Sequence, residues 1–244
     1  MKLGLFIPCY INELFPDVAL ATYKLLKKYN LDVDYPTNQT CCGQPLYNSG
    51  CSNETKPCAK NFINVFKNYD YIVAPSGSCV AMVKHNYKKI DENASLVDTK
   101  IYELVEFLVD IVKIEISDIT FNARVGLHNS CHAHRELNLA SKSELCESSY
   151  SKIVDLLQNV KGLHIVSPNR QDECCGFGGT FALNEVDVST QMGHDRIEEH
   201  QENQVEYITA VDISCLMHMQ GLIDRKKLPL KTIHIAQILL GEEI

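Results

Sequence analysis

Two stretches of the chain, "TCCGQPLYNSG" at residues 40–50 and "ECCGFGGTFAL" at residues 173–183, each carry two adjacent cysteines followed by glycine. Adjacent cysteines rarely form a disulfide with each other, because the ring that would close between them strains the intervening peptide. The tripeptide therefore needs another explanation. Its second occurrence, more than a hundred residues after the first, indicates a repeated unit.

The surroundings of the two Cys-Cys-Gly stretches are repeated as well. Four blocks occur in the same order in both halves, with offsets between 122 and 136 residues. The other three pairs are "LGLFIPCYINE" (3–13) with "VGLHNSCHAHRE" (125–136), "YIVAPSGSCVAMVKH" (71–85) with "YITAVDISCLMHMQG" (207–221), and "KIYELVEFLVDI" (100–111) with "KTIHIAQILLGE" (231–242). Such ordered self-similarity indicates an internal duplication. We therefore predict two domains, residues 1–118 and residues 119–244.

The hydrophobic pattern predicts an α/β fold in each half. Short apolar runs, the pattern of buried parallel strands, occupy residues 2–8, 71–75, 124–128 and 207–211. Apolar residues at helical spacing occupy residues 14–29, 58–68, 101–112 and 150–157. Strands that alternate with helices predict parallel sheets. We expect two duplicated Rossmann-like units related by a pseudo-twofold axis.

Composition narrows the functional class. The 244 residues include 23 basic and 31 acidic side chains, for a net charge of −8, which argues against a nucleic-acid surface. The longest apolar stretches are interrupted by charges before they reach the ~18 residues that a membrane span requires. The first residues make a poor signal peptide. We predict a cytoplasmic protein without a transmembrane segment.

The chain has eleven cysteines, and their positions follow the repeat. In a reducing compartment, clustered cysteines favour metal or redox chemistry over disulfides. Eight of the eleven lie in the repeated blocks, either just past a predicted strand or in a Cys-Cys-Gly loop. Ligands gather at the carboxyl ends of parallel strands. The two predicted ligand sets are Cys9, Cys41, Cys42 and Cys79 in the first half and Cys131, Cys174, Cys175 and Cys215 in the second.

Four thiolates per set suit either a tetrahedral zinc ion or an iron–sulfur cluster. The adjacent pair favours a cluster, because neighbouring side chains in extended backbone point to opposite sides and a cluster offers several separate iron atoms. Gly43 and Gly176 follow the pairs and permit the unusual dihedral angles that such loops need. Zinc remains the alternative occupant, and a structural zinc-binding scaffold the alternative function.

The stretches "QTCCGQPLYNSG", "APSGSCVAMV", "DECCGFGGTF" and "CLMH" resemble the cysteine-rich CCG domain family, to which a component of heterodisulfide reductase also belongs. The resemblance runs nearly end to end and is strongest to the small two-domain members that serve lactate utilisation. It implies two iron–sulfur clusters of the [4Fe–4S] type in an electron-transfer subunit of an L-lactate-oxidising complex. It also implies two partners, a ferredoxin-like iron–sulfur protein and a third subunit. A thiol/disulfide redox enzyme, as in heterodisulfide reductase, is the alternative within the family.

The chain departs from the reductase pattern at one position in each half. The reductase carries Cys-x-x-Cys, whereas this chain has Ser76 before Cys79 and Asp212 before Cys215. Their oxygens are candidates for an additional metal ligand, or for a hydrogen bond to a sulfur. Thiolates are the usual ligands of iron–sulfur clusters, which favours the hydrogen bond.

Three polar residues follow Cys131 in the second half only, namely His132, His134 and Arg135. Arginine can bind a carboxylate through two parallel hydrogen bonds, and histidine can transfer a proton. They are the catalytic candidates, and a solvated helix start is their alternative explanation. The cysteines outside the repeat are predicted to be buried small hydrophobic residues; they are Cys51, Cys58 and Cys146.

Overall fold

The computed structural model describes residues 1–146 and 148–241. Within these residues, eight strands form two separate four-stranded sheets in which every pairing is parallel. The first sheet has the order β2-β1-β3-β4, with β1 Leu3–Leu5, β2 Val33–Asp34, β3 Tyr71–Ala74 and β4 Ile101–Glu103. The second has the order β6-β5-β7-β8, with β5 Thr120–Leu127, β6 Lys161–Val166, β7 Tyr207–Ala210 and β8 Lys231–His234.

The helices follow the strands in the same alternation. The α-helices are α1 Cys9–Leu14, α2 Pro16–Lys28, α3 Gln44–Asn48, α4 Ser52–Phe66, α5 Gly77–Ala81, α6 Leu104–Glu106, α7 Lys152–Leu157, α8 Phe181–Asn184, α9 Val186–Glu202, α10 Ile213–Lys226 and α11 Ile235–Leu240. Wider π-helical turns occupy Met82–Asn86, Phe107–Val112 and His132–Glu136, and 3₁₀ turns occupy Tyr87–Lys89, Glu92–Leu96 and Ser143–Leu145. Among the described residues, none of these helices combines the length and apolarity needed to cross a membrane.

The strand pairing confirms the duplicated α/β fold. In the first sheet Leu3 of β1 pairs with Tyr71 of β3, and in the second Val125 of β5 pairs with Tyr207 of β7. These are matched positions of the repeated blocks, so the two halves share strand order and register. The sheets lie on either side of the predicted boundary between residues 118 and 119, and the division into domains there remains a prediction.

The outer strands differ from the sequence prediction. The apolar spacing predicts helix throughout residues 101–112, but Ile101–Glu103 form β4, and the helix begins only at Leu104. Three residues are too few to distinguish a period of two from one of 3.6. Pairing of Ile101 with Ile72 on the buried strand β3 decides the outcome. The sequence pattern likewise does not predict the short strands β2, β6 and β8.

The two halves meet through reciprocal contacts. Helix α5 of the first half packs on the His132–Glu136 turn of the second, and α10 of the second half packs on α1 of the first. These are matched elements, so each contact is the counterpart of the other, which is the signature of a twofold relation. Helix α11 also packs on α2, which ties the last described helix to the first half.

Buried capping residues lie at the ends of the fourth strand in each half. Glu103 and His234 occupy matched positions and accept hydrogen bonds from the first N–H groups of α6 and α11, for His234 at 3.2 Å from Ala236 N to Nδ1. Burial raises the pKa of Glu103 well above its ordinary value and lowers the pKa of His234 to about 4. Both shifts favour the uncharged form, as desolvation requires.

Acidification is expected to destabilise the fold through His234. The unfolded chain protonates this histidine below pH 6.5, whereas the folded chain does so only near pH 4. Between these values the unfolded state binds more protons, so the free energy of unfolding falls as the pH falls through this window. A gap from 6.5 to about 4 corresponds to about 3 kcal/mol for a side chain that is 1% exposed.

Urea unfolding of the parent and of His234→Asn, from pH 7 down to pH 4, measures this contribution. Asparagine keeps an acceptor for the first turn of α11 but does not titrate. We expect the parent to lose about 3 kcal/mol more than the variant over this range. Parallel stability curves for the two proteins would show that His234 is not the titrating group.

Candidate metal centre

The structure places the cysteines of both predicted sets at the carboxyl ends of the central strands. In the first half, Cys9 begins α1 after β1, and Cys79 lies in α5 after β3. In the second half, Cys131 follows β5 and Cys215 lies in the first turn of α10 after β7. The Cys-Cys-Gly loops approach the same edges of the sheets.

The two adjacent cysteines of the first set, Cys41 and Cys42, contact different cysteines. The Cys9 and Cys41 sulfurs are 3.6 Å apart, and the Cys42 and Cys79 sulfurs are 3.4 Å apart. The second set repeats this order, with contacts from Cys131 to Cys174, from Cys174 to Cys175 and from Cys175 to Cys215. Each set is thus a continuous group of four thiols.

The glycine after each pair is required by the loop geometry. Gly43 has φ +83° and Gly176 has φ +90°, in the left-handed region that side chains disfavour. A Cβ on Gly43 would lie 2.8 Å from Thr55 Cγ2, and a Cβ on Gly176 would lie 2.5 Å from the Ser189 carbonyl oxygen. Each glycine N–H instead points back at the first sulfur of its pair, at 3.3 Å in both loops.

These contacts favour the ionised, thiolate form of one cysteine in each Cys-Cys-Gly loop. The pKa of Cys41 is lowered because its sulfur accepts hydrogen bonds from Cys42, Cys9 and the Gly43 N–H. The pKa of Cys174 is lowered in the same way, by Cys131, Cys175 and the Gly176 N–H. Thiolates are the metal-binding form of cysteine, so each set carries a thiol in the protonation state that metal binding would require.

Both thiol sets line a single cavity between the halves. Each set lies at the strand ends of its own sheet, and both sets contribute to the lining of this cavity. The cavity is lined by Cys9, Cys41, Cys42, Cys79, Cys131, Cys174, Cys175 and Cys215. Among the other lining residues, the Tyr10 and Phe177 rings meet edge to face at 6.1 Å, and Gln44 Nε2 lies 3.2 Å from His132 Nε2. Residues of both halves therefore enclose one shared space.

The donor chemistry fits a thiolate-bound metal group. Two sulfurs bound at about 2.3 Å to one tetrahedral ion lie about 3.8 Å apart. The observed separations of 3.6 and 3.4 Å are within a small movement of that value. Thiolates bind zinc ions and iron–sulfur clusters in preference to cations such as magnesium and calcium, which prefer oxygen ligands.

Ser76 and Asp212 bind each other across the interface instead of extending the ligand sets. Ser76 Oγ donates to Asp212 Oδ1 at 2.9 Å and accepts the Cys79 N–H at 3.4 Å. The Ser78 N–H and the Ser130 hydroxyl also donate to Asp212, at 3.0 and 2.8 Å. Asp212 is 1% exposed, so these donors hold a buried carboxylate whose oxygens are already occupied.

Of the three catalytic candidates, only His132 lines the cavity. His134 is buried and turned away, with Nε2 2.6 Å from the Ser141 carbonyl oxygen and 3.3 Å from Asp172. Arg135 is exposed and lies 3.5 Å from Glu144. The π-helical turn at this point directs the three side chains in different directions, which their spacing in the sequence did not reveal.

Sequence reasoning missed His128 at this site. One of its ring nitrogens and the Cys175 and Cys215 sulfurs all lie within 4.8 Å of one another. The available signal was that the second half has His128 where the matched block of the first half has Phe6, in a segment whose next two residues also change from apolar to polar.

The prediction for the remaining cysteines was wrong in detail. Cys51 and Cys58 are half-buried and Cys146 is exposed. Cys51 immediately precedes helix α4, Cys58 lies on a partly exposed side of that helix, and Cys146 follows the 3₁₀ turn Ser143–Leu145 at the surface.

Comparison with known proteins agrees with the repeat. The cysteine-rich domain (CCG) family model matches residues 3–84 and 125–220. "Lactate utilization protein A" of Halalkalibacterium halodurans is 37% identical over 250 residues, covering 100% of this chain and 98% of the relative. The protein of the same name from Oceanobacillus iheyensis is 38% identical over 245 residues, covering 98% of this chain and 96% of the relative.

Among solved structures, a hypothetical protein from Helicobacter pylori matches with a TM-score of 0.59 and 13% identity. The match covers 100% of this chain and 49% of that chain, and at this identity it supports the fold alone. The two family matches coincide with the two halves, and both contain the Cys-Cys-Gly loop. The chain belongs to the cysteine-rich domain (CCG) family, together with the relatives called lactate utilization protein A.

Proposed function

We propose that this chain serves lactate utilisation as the iron–sulfur electron-transfer subunit of an L-lactate-oxidising complex. The observation that carries the proposal is the pair of matched four-thiol sets that face one cavity. The names of the relatives support the metabolic role. No flavin or nicotinamide motif occurs in the sequence, so we propose that oxidation of lactate requires partners.

The chain's own residues account for the properties that such a subunit needs. The eight cysteines would hold two iron–sulfur clusters, which supply one-electron chemistry when bound. Cys42 and Cys175 are each only 2% exposed, so the protein shields the inner side of each set from water. The Gly43 and Gly176 N–H groups donate to sulfur, and such hydrogen bonds influence the reduction potential.

The shared cavity supports transfer between the two sets. A short chain of hydrogen bonds through Ser76 connects the two thiol sets. The Ser76 hydroxyl accepts from the Cys79 N–H and donates to Asp212, which lies three residues before Cys215. We propose that the two sets exchange electrons across this contact between the halves. We propose a ferredoxin-like protein as donor and a third subunit as a further member of the complex.

The first test is the metal content and spectrum of the protein purified without oxygen. We expect about eight iron and eight sulfide per chain, from two [4Fe–4S] clusters, and an EPR signal on reduction. The signal should also develop when L-lactate and the partner proteins replace the chemical reductant. One or two zinc ions without sulfide would instead support a structural scaffold.

The open cavity favours one other function, reduction of a disulfide substrate bound between the sets. His132 and Gln44 in the cavity lining offer polar contacts for such a substrate. An assay with a reduced viologen as electron donor and a small disulfide as acceptor separates the two functions. Turnover to thiols supports the enzyme, whereas an unchanged disulfide beside reducible clusters supports the relay.

A further inference from the structure

The two thiol sets differ in one buried neighbour. Phe6 follows β1 and His128 follows β5, at matched positions of the repeated blocks. Phe6 packs edge to face against Phe62 and Phe66, with ring centroids 4.9 and 5.8 Å apart. His128 is 1% exposed, so an imidazole replaces an apolar ring at an equally buried position.

His128 is buried beside two cysteine sulfurs. Within residues 1–146 and 148–241, neither ring nitrogen has a nitrogen or oxygen hydrogen-bond partner, and the ring interacts instead with the Cys215 sulfur. An unsatisfied buried polar group costs about 1–3 kcal/mol, and nearly all such groups in folded proteins are satisfied. The sequence would avoid this cost with phenylalanine, as the first half does, so the imidazole indicates a bound group.

The position of His128 indicates what that group is. A ring nitrogen of His128 lies within 4.8 Å of the Cys175 and Cys215 sulfurs, so three soft or borderline donors converge from three chain segments. The backbone supports this placement, because the His128 N–H donates to the Thr209 carbonyl oxygen on β7 at 2.9 Å. Imidazole is a common ligand of both iron and zinc.

We propose that His128 is a nitrogen ligand of the metal group held by the second set. The inference rests on the proposed function and deepens it. The first set then offers thiolates alone, whereas the second offers thiolates and one neutral imidazole. Imidazole ligation raises the reduction potential of an iron–sulfur centre above that of its all-thiolate counterpart. The second site is therefore the downstream one in electron flow through this chain.

Pulsed EPR of the full chain, loaded anaerobically with iron and sulfide and then reduced, tests the proposal. We expect strong coupling to one nitrogen in the parent, and its loss in His128→Phe, which copies the first half. The variant should retain its iron, because the eight cysteines remain, and one of the two reduction potentials should fall. His132→Gln and His218→Gln are matched controls and should both retain the coupling. His132 lines the cavity, and the His218 ring lies 6.0 Å from the ring of Phe177, which also lines it, but neither histidine is in the proposed ligand set.

In case His128→Phe fails to fold, labelling the parent with ¹⁵N-histidine shows whether the coupled nitrogen belongs to a histidine, and the two control variants then exclude His132 and His218. The label should convert the nitrogen coupling to that of ¹⁵N. Iron–sulfur signals without strong nitrogen coupling, or coupling that disappears only in a control variant, would overturn this inference and leave the proposed function standing. A parent that binds no iron and sulfide would overturn both.

Discussion

Cys42→Ser and Cys175→Ser are each expected to bind about half of the iron of the parent when all three proteins are prepared anaerobically. Serine replaces a soft thiolate with a hard, weakly acidic hydroxyl, which is a poor iron ligand. Each change should affect the set of its own half, because Cys42 contacts Cys79 and Cys175 contacts Cys215. Lactate-dependent electron flow through the complex should be lost in both variants.

Thermal melting separates loss of metal from loss of fold. Both α/β units have apolar cores, so each serine variant should be less stable by only about 1 kcal/mol, or about 2–4 °C. Cys58→Ser is a matched control, because Cys58 lies against the Gly43 loop but outside the repeated sets. It should retain full iron. Full iron in Cys42→Ser would remove that residue from the ligand set, and joint loss of iron and fold would favour a structural site.

Asp212→Ala is expected to destabilise the protein by about 3 kcal/mol, which lowers the melting temperature by about 6–12 °C. Three donors converge on this carboxylate, and two of them come from the first half: the Ser76 hydroxyl and the Ser78 N–H. Without the acceptor, these groups stay buried and unsatisfied. Because the contact joins the halves, iron retention should fall at both sets.

Calorimetry of Asp212→Ala beside Asp224→Ala measures this effect. Asp224 is exposed on the same helix, α10, and accepts from the Gln220 side chain, so its loss should change stability by less than about 0.5 kcal/mol. Asp212→Asn keeps an acceptor and should lie between the two. If Asp212→Ala has the same melting temperature as Asp224→Ala, this carboxylate does not hold the halves together. Other contacts between the halves, such as the packing of α2 on α11, would then do so.

The strands that the sequence revealed are the central ones. Both faces of β1, β3 and β7 are covered, so their residues form nearly continuous apolar runs that stand out in any segment of the chain. The outer strands lack this pattern. In β2 only Val33 is buried, and β6 has no buried residue, so their strand geometry comes from pairing with β1 and β5.

The sequence by itself revealed the duplication and showed which cysteines belong to each thiol set, because residues that recur at matched positions of a repeat can be recognised without a structure. The tertiary structure decided how the sets relate to each other. The shared cavity, the bond from Ser76 to Asp212 and the approach of His128 to Cys215 all join segments far apart in the chain. A repeat describes each half alone, whereas contacts across the interface depend on how two folded surfaces pack, and no local pattern encodes that packing.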